Sequence, residues 1–438
     1  MFFNKKIDKA AQLLTSNPNR TYWQEVSYRF GKNRIAIWAL RFLYVILFIA
    51  FAADFIANDK PLVCSLDKQI HFPVFHDYGV KMGIAKWEDR FVTRNWNEHN
   101  YDWAVFPPIP YSPTSMDKRN RNYVGPFDEQ HNTKSIQYRH WMGTDELGRD
   151  VASGMVHGTR IAVSVGIIAM SIASLIGIFF GALAGYWGDH KLRLSIGAIV
   201  ANLIGLVMAV FYAFVARSYQ ISVMAKEGSL MGALLGSFAI FVLVILIANA
   251  LGWMLGKLPL FSKRVTIPAD ILVMRLIEVI NSIPALLLIL SIVAITKPSV
   301  FNVMVIIGFI SWTGIARFVR AELLRVRNLE YIEAAQAMGF SESRIVLRHA
   351  LPNALTPVLI AIAFGVASAI LTESFLSFLS VGVSAEQVTW GSLLNLARGN
   401  FQAWWLALFP GVAIFITVTI FNLIGEGLTD ALDPRLKH

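Results

Sequence analysis

The sequence predicts an all-α polytopic membrane protein with about eight membrane-spanning helices and a mixed loop outside the membrane. Hydrophobic residues make up 55% of its 438 residues and charged residues only 16%, whereas soluble domains carry about 45–50% and about 25%. The apolar residues gather into runs long enough to cross a hydrocarbon core of about 30 Å, and none alternates as barrel strands do. This composition excludes a disordered chain and disfavours a large soluble enzyme.

Eight apolar runs give the order of the predicted helices. Helices are expected because lipid offers the backbone no hydrogen-bond partners, and a helix satisfies its own. The runs cover residues 35–57, 161–186, 194–216, 230–255, 271–295, 300–319, 355–379 and 403–423. Pro284, in the string Asn281-Ser282-Ile283-Pro284, is expected to kink the fifth helix.

The distribution of charge predicts how these helices are oriented. The net charge is +10, and in a membrane protein an excess of Lys and Arg marks cytoplasmic segments rather than nucleic-acid binding. Basic residues predominate in residues 1–34 and between the sixth and seventh helices. We therefore expect both termini in the cytoplasm, a first helix (35–57) that is retained rather than cleaved, and an extracytoplasmic loop over 58–159.

That predicted loop is polar and rich in aromatic residues, and its stretch from Pro107 to Pro113 is too dense in proline for a helix. A loop this long is usually functional or independently ordered, so a small folded element with short strands is expected. Cys64 is the only cysteine of the chain. No intramolecular disulfide and no cysteine-based metal cluster can therefore form.

The sequence lacks the motifs of nucleotide hydrolysis and of common catalytic sites. The string nearest to a phosphate-binding loop, Gly252 to Leu258, has the wrong glycine spacing and no hydroxyl residue after Lys257. The nine histidines are scattered, and no metal site is predicted. We expect a non-catalytic chain without a cofactor of its own. A membrane-embedded hydrolase is the alternative, but no Cys or His is placed to act as its nucleophile or base.

Few ionisable residues lie within the predicted helices. Apart from Arg41 and Asp54 near the ends of the first helix, the candidates are Arg275, Glu278 and Glu373. A charge inside the membrane is a functional candidate by default. Arg275 and Glu278 are spaced i, i+3 and are expected to pair near the cytoplasmic end of the fifth helix. Glu373 is expected to cap or pair near the outer side. A proton relay is the alternative, although it would need more such groups on facing helices.

Residues 321–352 form the most informative cytoplasmic loop. The stretch from Glu330 to Met338 consists of good helix formers, and Gly339 suits the position that ends a helix. Ser341 offers an N-cap for a second short helix, which Pro352 is expected to stop. The first helix combines small alanines with a charged residue, and this favours docking of a cytosolic partner over an amphipathic helix lying on the membrane.

The string E-A-A-x-x-x-G in this loop, with the L-P that follows it, resembles the EAA loop of ABC-importer permeases. In that family the loop forms a coupling helix that sits in a groove of the ATP-binding subunit. The resemblance assigns this role to Glu333, Ala334, Ala335, Gly339, Leu351 and Pro352. Phe340 and His349 depart from the broad family, which prefers a small and an aliphatic residue there. The string R-H-A-L-P-N, from Arg348 to Asn353, is nonetheless similar to the peptide branch.

A second signature precedes the second predicted helix. The stretch from His140 to Asp150 resembles the H-x-x-G-T-D-x-x-G-R-D motif of the second, C-type permease subunit of oligopeptide and dipeptide importers. Its residues here include Gly143, Thr144, Asp145, Gly148, Arg149 and Asp150. The pattern suits a turn-rich segment that Asp and Arg tie down, and it implies no catalysis. In the outer loop, the patches 56–62 and 107–112 look like microcin C-type peptide permeases.

One segment departs from the family pattern. The family passes almost directly from a string like that at 185–189 to one like that at 270–275, whereas here two further predicted helices intervene. We expect an inserted hairpin over 190–266, peripheral to a six-helix permease core. The core then comprises 35–57, the second helix at 160–189, and residues 267–438 with the coupling loop at 321–352.

The resemblance implies the permease subunit of an ATP-driven peptide importer in a bacterial inner membrane. The implied partners are a second homologous permease, two ATP-binding subunits that carry ATP and Mg, an extracytoplasmic substrate-binding protein, and membrane lipid, with no nucleic acid. ATP hydrolysis on the partners would switch the permease between inward-open and outward-open states. Nickel or another small solute is the alternative cargo, because importers of such solutes share this branch.

Overall fold

The computed structural model describes residues 22–66, 68–87, 91, 96, 101–131, 135–189, 192–226, 230–384 and 387–432. The chain separates into two compact units, one of residues 1–181 with 278–438 and the other of residues 182–277. Of the basic residues predicted to hold the N-terminus inside, those before residue 22, such as Lys5 and Arg20, lie outside the described residues, whereas Arg29, Lys32 and Arg34 lie within them.

The first part of the chain contains a membrane-spanning helix and a small sheet. In order these are α1 (Tyr22–Lys32), α2 (Arg34–Phe51), α3 (Ala53–Ile56), β1 (Val63–Leu66), β2 (Gln69–His71), α4 (Pro73–Lys81) and β3 (Trp103–Val105). The strands pair antiparallel in the order β2-β1-β3, with the buried thiol of Cys64 on the central strand. The short strands expected between the first two spans are thus present. Residues 57–150, between α3 and the next helix, are called the connecting segment below.

The next helix, α5 (Val151–Ala182), ends in a π turn over Leu183–Trp187. It begins at residue 151 rather than at the predicted 160. The side chain of Asp150 accepts the backbone N–H of Ser153 at 2.6 Å and so caps the helix. The helix start predicted from hydropathy was wrong. The cap at Asp150 sets the true start, and polar residues such as Arg160 keep the first turns of the helix out of the apolar run.

The unit of residues 182–277 is a helical hairpin closed by a two-stranded sheet. It contains β4 (Arg193–Ser195), α6 (Ile196–Val210) with a π turn over Phe211–Val215, α7 (Ser218–Lys226), α8 (Leu230–Leu255), β5 (Arg264–Thr266) and most of α9 (Ala269–Asn281). A Cβ added to Gly205 of α6 would lie only 2.2 Å from the Cβ of Ala248 on α8. Small residues at the contact let the two backbones approach closely, as in many membrane helix pairs. The position of this hairpin outside the permease core stays a prediction.

The remaining elements complete the first unit. They are α10 (Ala285–Ile295), α11 (Val300–Val326), α12 (Glu330–Ala337), α13 (Glu342–Ile345), α14 (Leu351–Phe378), α15 (Trp390–Ala397) and α16 (Trp405–Leu432). Buried side chains of α5, α10, α11 and α14 form one apolar cluster, which includes Val165, Val293, Ile307 and Leu376. These four helices therefore share a common core.

Seven of the described helices are long and apolar enough to cross a membrane, and the bent pair of α9 and α10 makes an eighth if it is one span. The pair bends by 76° at the break that contains Pro284, where the sequence predicted a kink. The described helices follow the eight predicted runs in order. The predicted fold class, an all-α polytopic membrane protein, is confirmed.

Candidate coupling surface and loop signature

The loop between α11 and α14 turns at Gly339, directly after α12. Gly339 has a φ of +77°, and its N–H donates to the carbonyl of Gln336 at 2.9 Å. The N–H of Phe340 then donates to the carbonyl of Ala335 at 3.2 Å. A Cβ on Gly339 would meet nothing within 4 Å. The glycine is therefore required by its left-handed conformation and not by lack of space.

One face of α12 is buried against the rest of the unit, and the other is exposed. Ile332 and Ala335 are buried. The name α12 surface is used below for five of its exposed residues, Glu333, Ala334, Ala337, Met338 and Gly339; Glu330, Tyr331 and Gln336 are exposed as well. Met338 at the end of this helix is 65% exposed. Of the predicted coupling residues, Ala335 lies on the buried face of α12. Its side chain therefore packs within this unit and does not face a partner.

The helix after the turn does not stop at Pro352. α13 continues through a π turn over Val346–Ala350 into α14, and residues 342–378 form one long helix. Pro352 lies in the first turn of α14 and is exposed, while Leu351 beside it is half-buried. The prediction of a stop was wrong because a wide π turn and a first-turn position both tolerate a residue without an N–H.

Two contacts fix α12 to this long helix. The ring of Phe340 stacks on the imidazole of His349, with centroids 6.2 Å apart. The hydroxyl of Tyr331 accepts a hydrogen bond from Nδ2 of Asn353 at 3.1 Å. α12 and the turn after it are therefore packed against the start of α14.

The second signature, residues 140–150, forms a hydrogen-bonded turn just before α5. Oδ1 of Asp145 accepts the N–H groups of Leu147 and Arg149, and Oδ2 pairs with Nε of Arg149 at 2.6 Å. Gly148, with a φ of +80°, packs so closely on the backbone of Asp117 that a Cβ would lie 2.2 Å from its carbonyl oxygen. The Asp and Arg of the signature thus stabilise a turn, as the sequence suggested.

His140 lies fully buried at the centre of this turn, between two carboxylates. Its Nδ1 is 2.7 Å from Oδ2 of Asp150 and its Nε2 is 3.3 Å from Oδ2 of Asp117, while Tyr111 stacks on the ring. Burial alone would lower the pKa of His140, but the hydrogen bonds and charges of the two acids outweigh it and raise the pKa to about 9. Burial would raise the pKa of Asp117, but hydrogen bonds from His140 and its neighbours lower it to about 2. The connecting segment is therefore joined to the start of α5 by buried charges.

Thr144 extends this junction to the last helix. Its Oγ1 accepts the N–H of Val124 and donates to the carbonyl of Asn120. Its own carbonyl accepts Nε1–H of Trp405, at the start of α16, at 3.0 Å. Gly143, next to Thr144, also has a left-handed φ of +78°. Sequence reasoning missed the contact with Trp405, because no local pattern links residues so far apart in the chain.

Glu373 lies in α14 with only 1% of its surface exposed. Its carboxylate accepts hydrogen bonds from the hydroxyls of Ser377 and Thr389. Thr389 also caps α15 by accepting the N–H of Ser392. Within the described part of the chain, no Lys or Arg pairs with Glu373. The residue thus joins α14 to the cap of α15 through hydroxyl groups, as a buried polar link.

Arg275 and Glu278 both lie on α9, one turn apart and exposed. Their mutual pairing stays a prediction. A different pair, which sequence reasoning missed, joins the first two spans. Nη1 of Arg160 on α5 lies 2.8 Å from Oδ2 of Asp54 on α3, and the hydroxyl of Tyr78 on α4 donates to the same carboxylate oxygen. Both charged residues stand in the sequence, but nothing local indicates that they meet.

The spanning helices define the class of a polytopic helical membrane protein, and its short helix α12 presents an exposed side. Residues 248–438 match the family of binding-protein-dependent transport system inner membrane components, and residues 21–71 match the N-terminal transmembrane domain of oligopeptide transport permease C. The chain belongs to this family of ABC-transporter permeases, in its oligopeptide/dipeptide-type group.

Individual relatives agree. The glutathione transport system permease protein GsiD of Pectobacterium atrosepticum is 30% identical over 71% of this chain and 78% of its own length. The inner membrane ABC transporter permease protein YejE of Escherichia coli is 29% identical over 93% of this chain and 95% of its own length. The dipeptide transport system permease protein DppC of Bacillus subtilis is 29% identical over 68% of this chain and 70% of its own length. As a component of a binding-protein-dependent system, the chain works with ATP-binding and substrate-binding partners.

Proposed function

We propose that this permease carries peptides, and that the α12 surface is where ATP-binding subunits push on it. The observation that carries the coupling role is the exposure of Glu333, Ala334 and Met338 on a helix whose other face is buried. A short helix held on one side and open on the other suits insertion into a groove of a partner. The names of the relatives, which include dipeptide and glutathione permeases, support the peptide cargo.

The structure offers a route by which a push at α12 reaches the far side of the membrane. Phe340 and Tyr331 couple α12 to the long helix of residues 342–378. That helix contains Glu373, which accepts a hydrogen bond from the hydroxyl of Thr389. Thr389 is the N-cap residue of α15. Movement of this helix would thus act at both ends, as alternating access requires.

The wider assembly follows from the same proposal. Two ATP-binding subunits would hold ATP and Mg, a second homologous permease would complete the pathway, and a substrate-binding protein would deliver the peptide. The α12 surface must then face the cytoplasm. This places both termini in the cytoplasm and the connecting segment outside it, in a bacterial inner membrane. The chain itself would perform no covalent chemistry.

The coupling role can be tested in the assembled transporter, reconstituted in liposomes. Peptide uptake and ATP hydrolysis are measured for Glu333→Ala, and for Glu129→Ala as a control that removes an exposed acid from the connecting segment. We expect Glu333→Ala to lower the number of peptides carried per ATP, and Glu129→Ala to leave it unchanged. Normal coupled uptake by a Glu333→Ala, Gly339→Pro double variant would overturn the role. Nickel uptake without peptide uptake by the unaltered complex would overturn the cargo.

A further inference from the structure

Helix α4 presents an apolar face that the described residues leave uncovered. Phe75 is 59% exposed, and Phe72 and Met82 are exposed to a similar extent. Their spacing, i, i+3 and i+10, places the three side chains on one side of a helix, while Val74 on another side is fully buried. α4 thus has an exposed apolar side, formed by Phe75 with the two cap residues Phe72 and Met82, and Phe72 also borders a groove with Trp87.

Two contacts hold α4 at the level where the first membrane span ends. The ring of Phe75 packs on that of Phe55 in α3, with centroids 5.3 Å apart. The hydroxyl of Tyr78 donates to Asp54, which also pairs with Arg160 of α5. Asp54 follows the last residue of α2 by three positions, which is about 5 Å of helix. α4 therefore lies beside the end of the first predicted span.

The exposed aromatic side of α4 continues an exposed aromatic side of α2. Phe48 and Phe51 are exposed on this spanning helix. Phe55 follows them at the spacing i, i+3, i+7 and contacts Phe75. One row of aromatic rings thus runs from the membrane span onto α4.

Basic side chains border this row. Lys81 is exposed at the end of α4, where its Nζ lies 2.8 Å from Asp77, and Lys86 is exposed a few residues further on. An apolar helix face with lysines at its edge is typical of helices that lie in the headgroup layer. Lysine chains of this length can reach phosphate oxygens while their stems stay against apolar surface.

We propose that α4 is an interfacial helix that inserts Phe72, Phe75 and Met82 into the phospholipid leaflet at which α2 ends. The occupant of this face is lipid and not another protein. The helix fixes the connecting segment to the bilayer, in addition to its tie to α5 through Asp54. This inference does not depend on the coupling role of α12.

Spin labels test this placement in the assembled transporter in lipid nanodiscs. A label is attached at Phe75→Cys and, in a separate protein, at Phe72→Cys. Collision with lipid-soluble oxygen is then compared with collision with a water-soluble nickel chelate. Phe48→Cys on α2 serves as the lipid reference and Gln69→Cys on β2 as the water reference. Cys64 is fully buried, so the parent protein provides the labelling blank.

Oxygen should collide more often than the chelate at both α4 positions, with a ratio close to that at Phe48→Cys. Access of the chelate equal to that at Gln69→Cys would overturn the proposal, because the face would then be in water. Exclusion of both reagents would also overturn it, because a protein partner would then cover the face. If one variant fails to assemble, Met82→Cys replaces it on the same face.

Discussion

The ring of Phe340 lies nearly parallel to the imidazole of His349, with an angle of 8° between the planes and 6.2 Å between the centroids. The guanidinium of Arg344 lies 5.5 Å from the centroid of the same phenyl ring. Phe340 and His349 are the two positions at which the loop departs from the broad EAA pattern. The two departures are therefore one structural feature, a contact that joins the turn after α12 to the start of α14.

We expect Phe340→Ala to weaken coupling without unfolding the transporter. The substitution removes a ring contact worth about 1 kcal/mol, which corresponds to about a fivefold change in the population of the joined state. Uptake per ATP should fall by about that factor in Phe340→Ala, whereas Phe340→Tyr should keep the uptake per ATP of the unaltered protein. Unchanged coupling in Phe340→Ala would show that the stack carries no motion from α12 to α14.

Gly339→Ala should impair coupling through strain alone. A side chain at a φ of +77° costs about 1–2 kcal/mol, although the space around the residue is open. Gly339→Asn should be milder, because Asn tolerates this conformation better. Gly314→Ala is the matched control, since a Cβ there also meets nothing within 4 Å and its φ is not positive. Equal uptake by all three variants would contradict a role for this turn.

The buried His140 predicts how stability depends on pH. Its pKa is raised to about 9 from 6.5, so its contribution is fully present below about 6.5, decreases above it and is lost by about 9. Asp117, with a pKa lowered to about 2 from 3.8, contributes above about 3.8 and loses its contribution as the pH falls towards 2.

The thermal midpoint of the purified complex should therefore fall between about pH 6.5 and about pH 9. His140→Gln should lower the midpoint at pH 6.5 and flatten this decline, because the group that loses its proton has been removed. Parallel pH profiles for the unaltered and His140→Gln proteins would show that the histidine does not titrate as the two carboxylates require.

Glu373→Gln should assemble and transport normally, whereas Glu373→Ala should be less stable. The amide can still accept hydrogen bonds from Ser377 and Thr389, but alanine leaves buried hydroxyls unpaired at a cost of about 1–3 kcal/mol. Thermal unfolding and uptake of both variants test this. An assembled Glu373→Gln complex without uptake would favour the proton-relay alternative, because only the ionisable proton would be missing.

The parts of the fold that local sequence determines could be predicted. Apolar runs gave the spanning helices, Pro284 gave the bend between α9 and α10, and Gly339 gave the turn after α12. The start of α5 was misplaced, because its cap at Asp150 is polar and hydropathy does not detect it. Pro352 was predicted to end a helix, but the helix continues through it. The π turn before Pro352 accommodates a residue that lacks an N–H and would otherwise clash with the carbonyl four residues earlier.

The sequence indicated which segments form the candidate sites, but it did not indicate which distant residues contact them. The strings around Glu333 and Gly148 indicated a short helix and a turn, and the structure contains both. The pairs Asp54–Arg160 and Thr144–Trp405 join residues far apart in the sequence. No periodicity or spacing indicates such partners, because tertiary packing alone brings them together.

Photo-crosslinking from the α12 surface tests the central claim most directly. A photoreactive phenylalanine derivative replaces Met338, which is 65% exposed, or Met116 of the connecting segment, which is 53% exposed, in the purified transporter. The account predicts a crosslink from position 338 to an ATP-binding subunit, with a yield that changes when ATP is added, and none from position 116. A crosslink to that subunit from position 116 and none from 338 would contradict it.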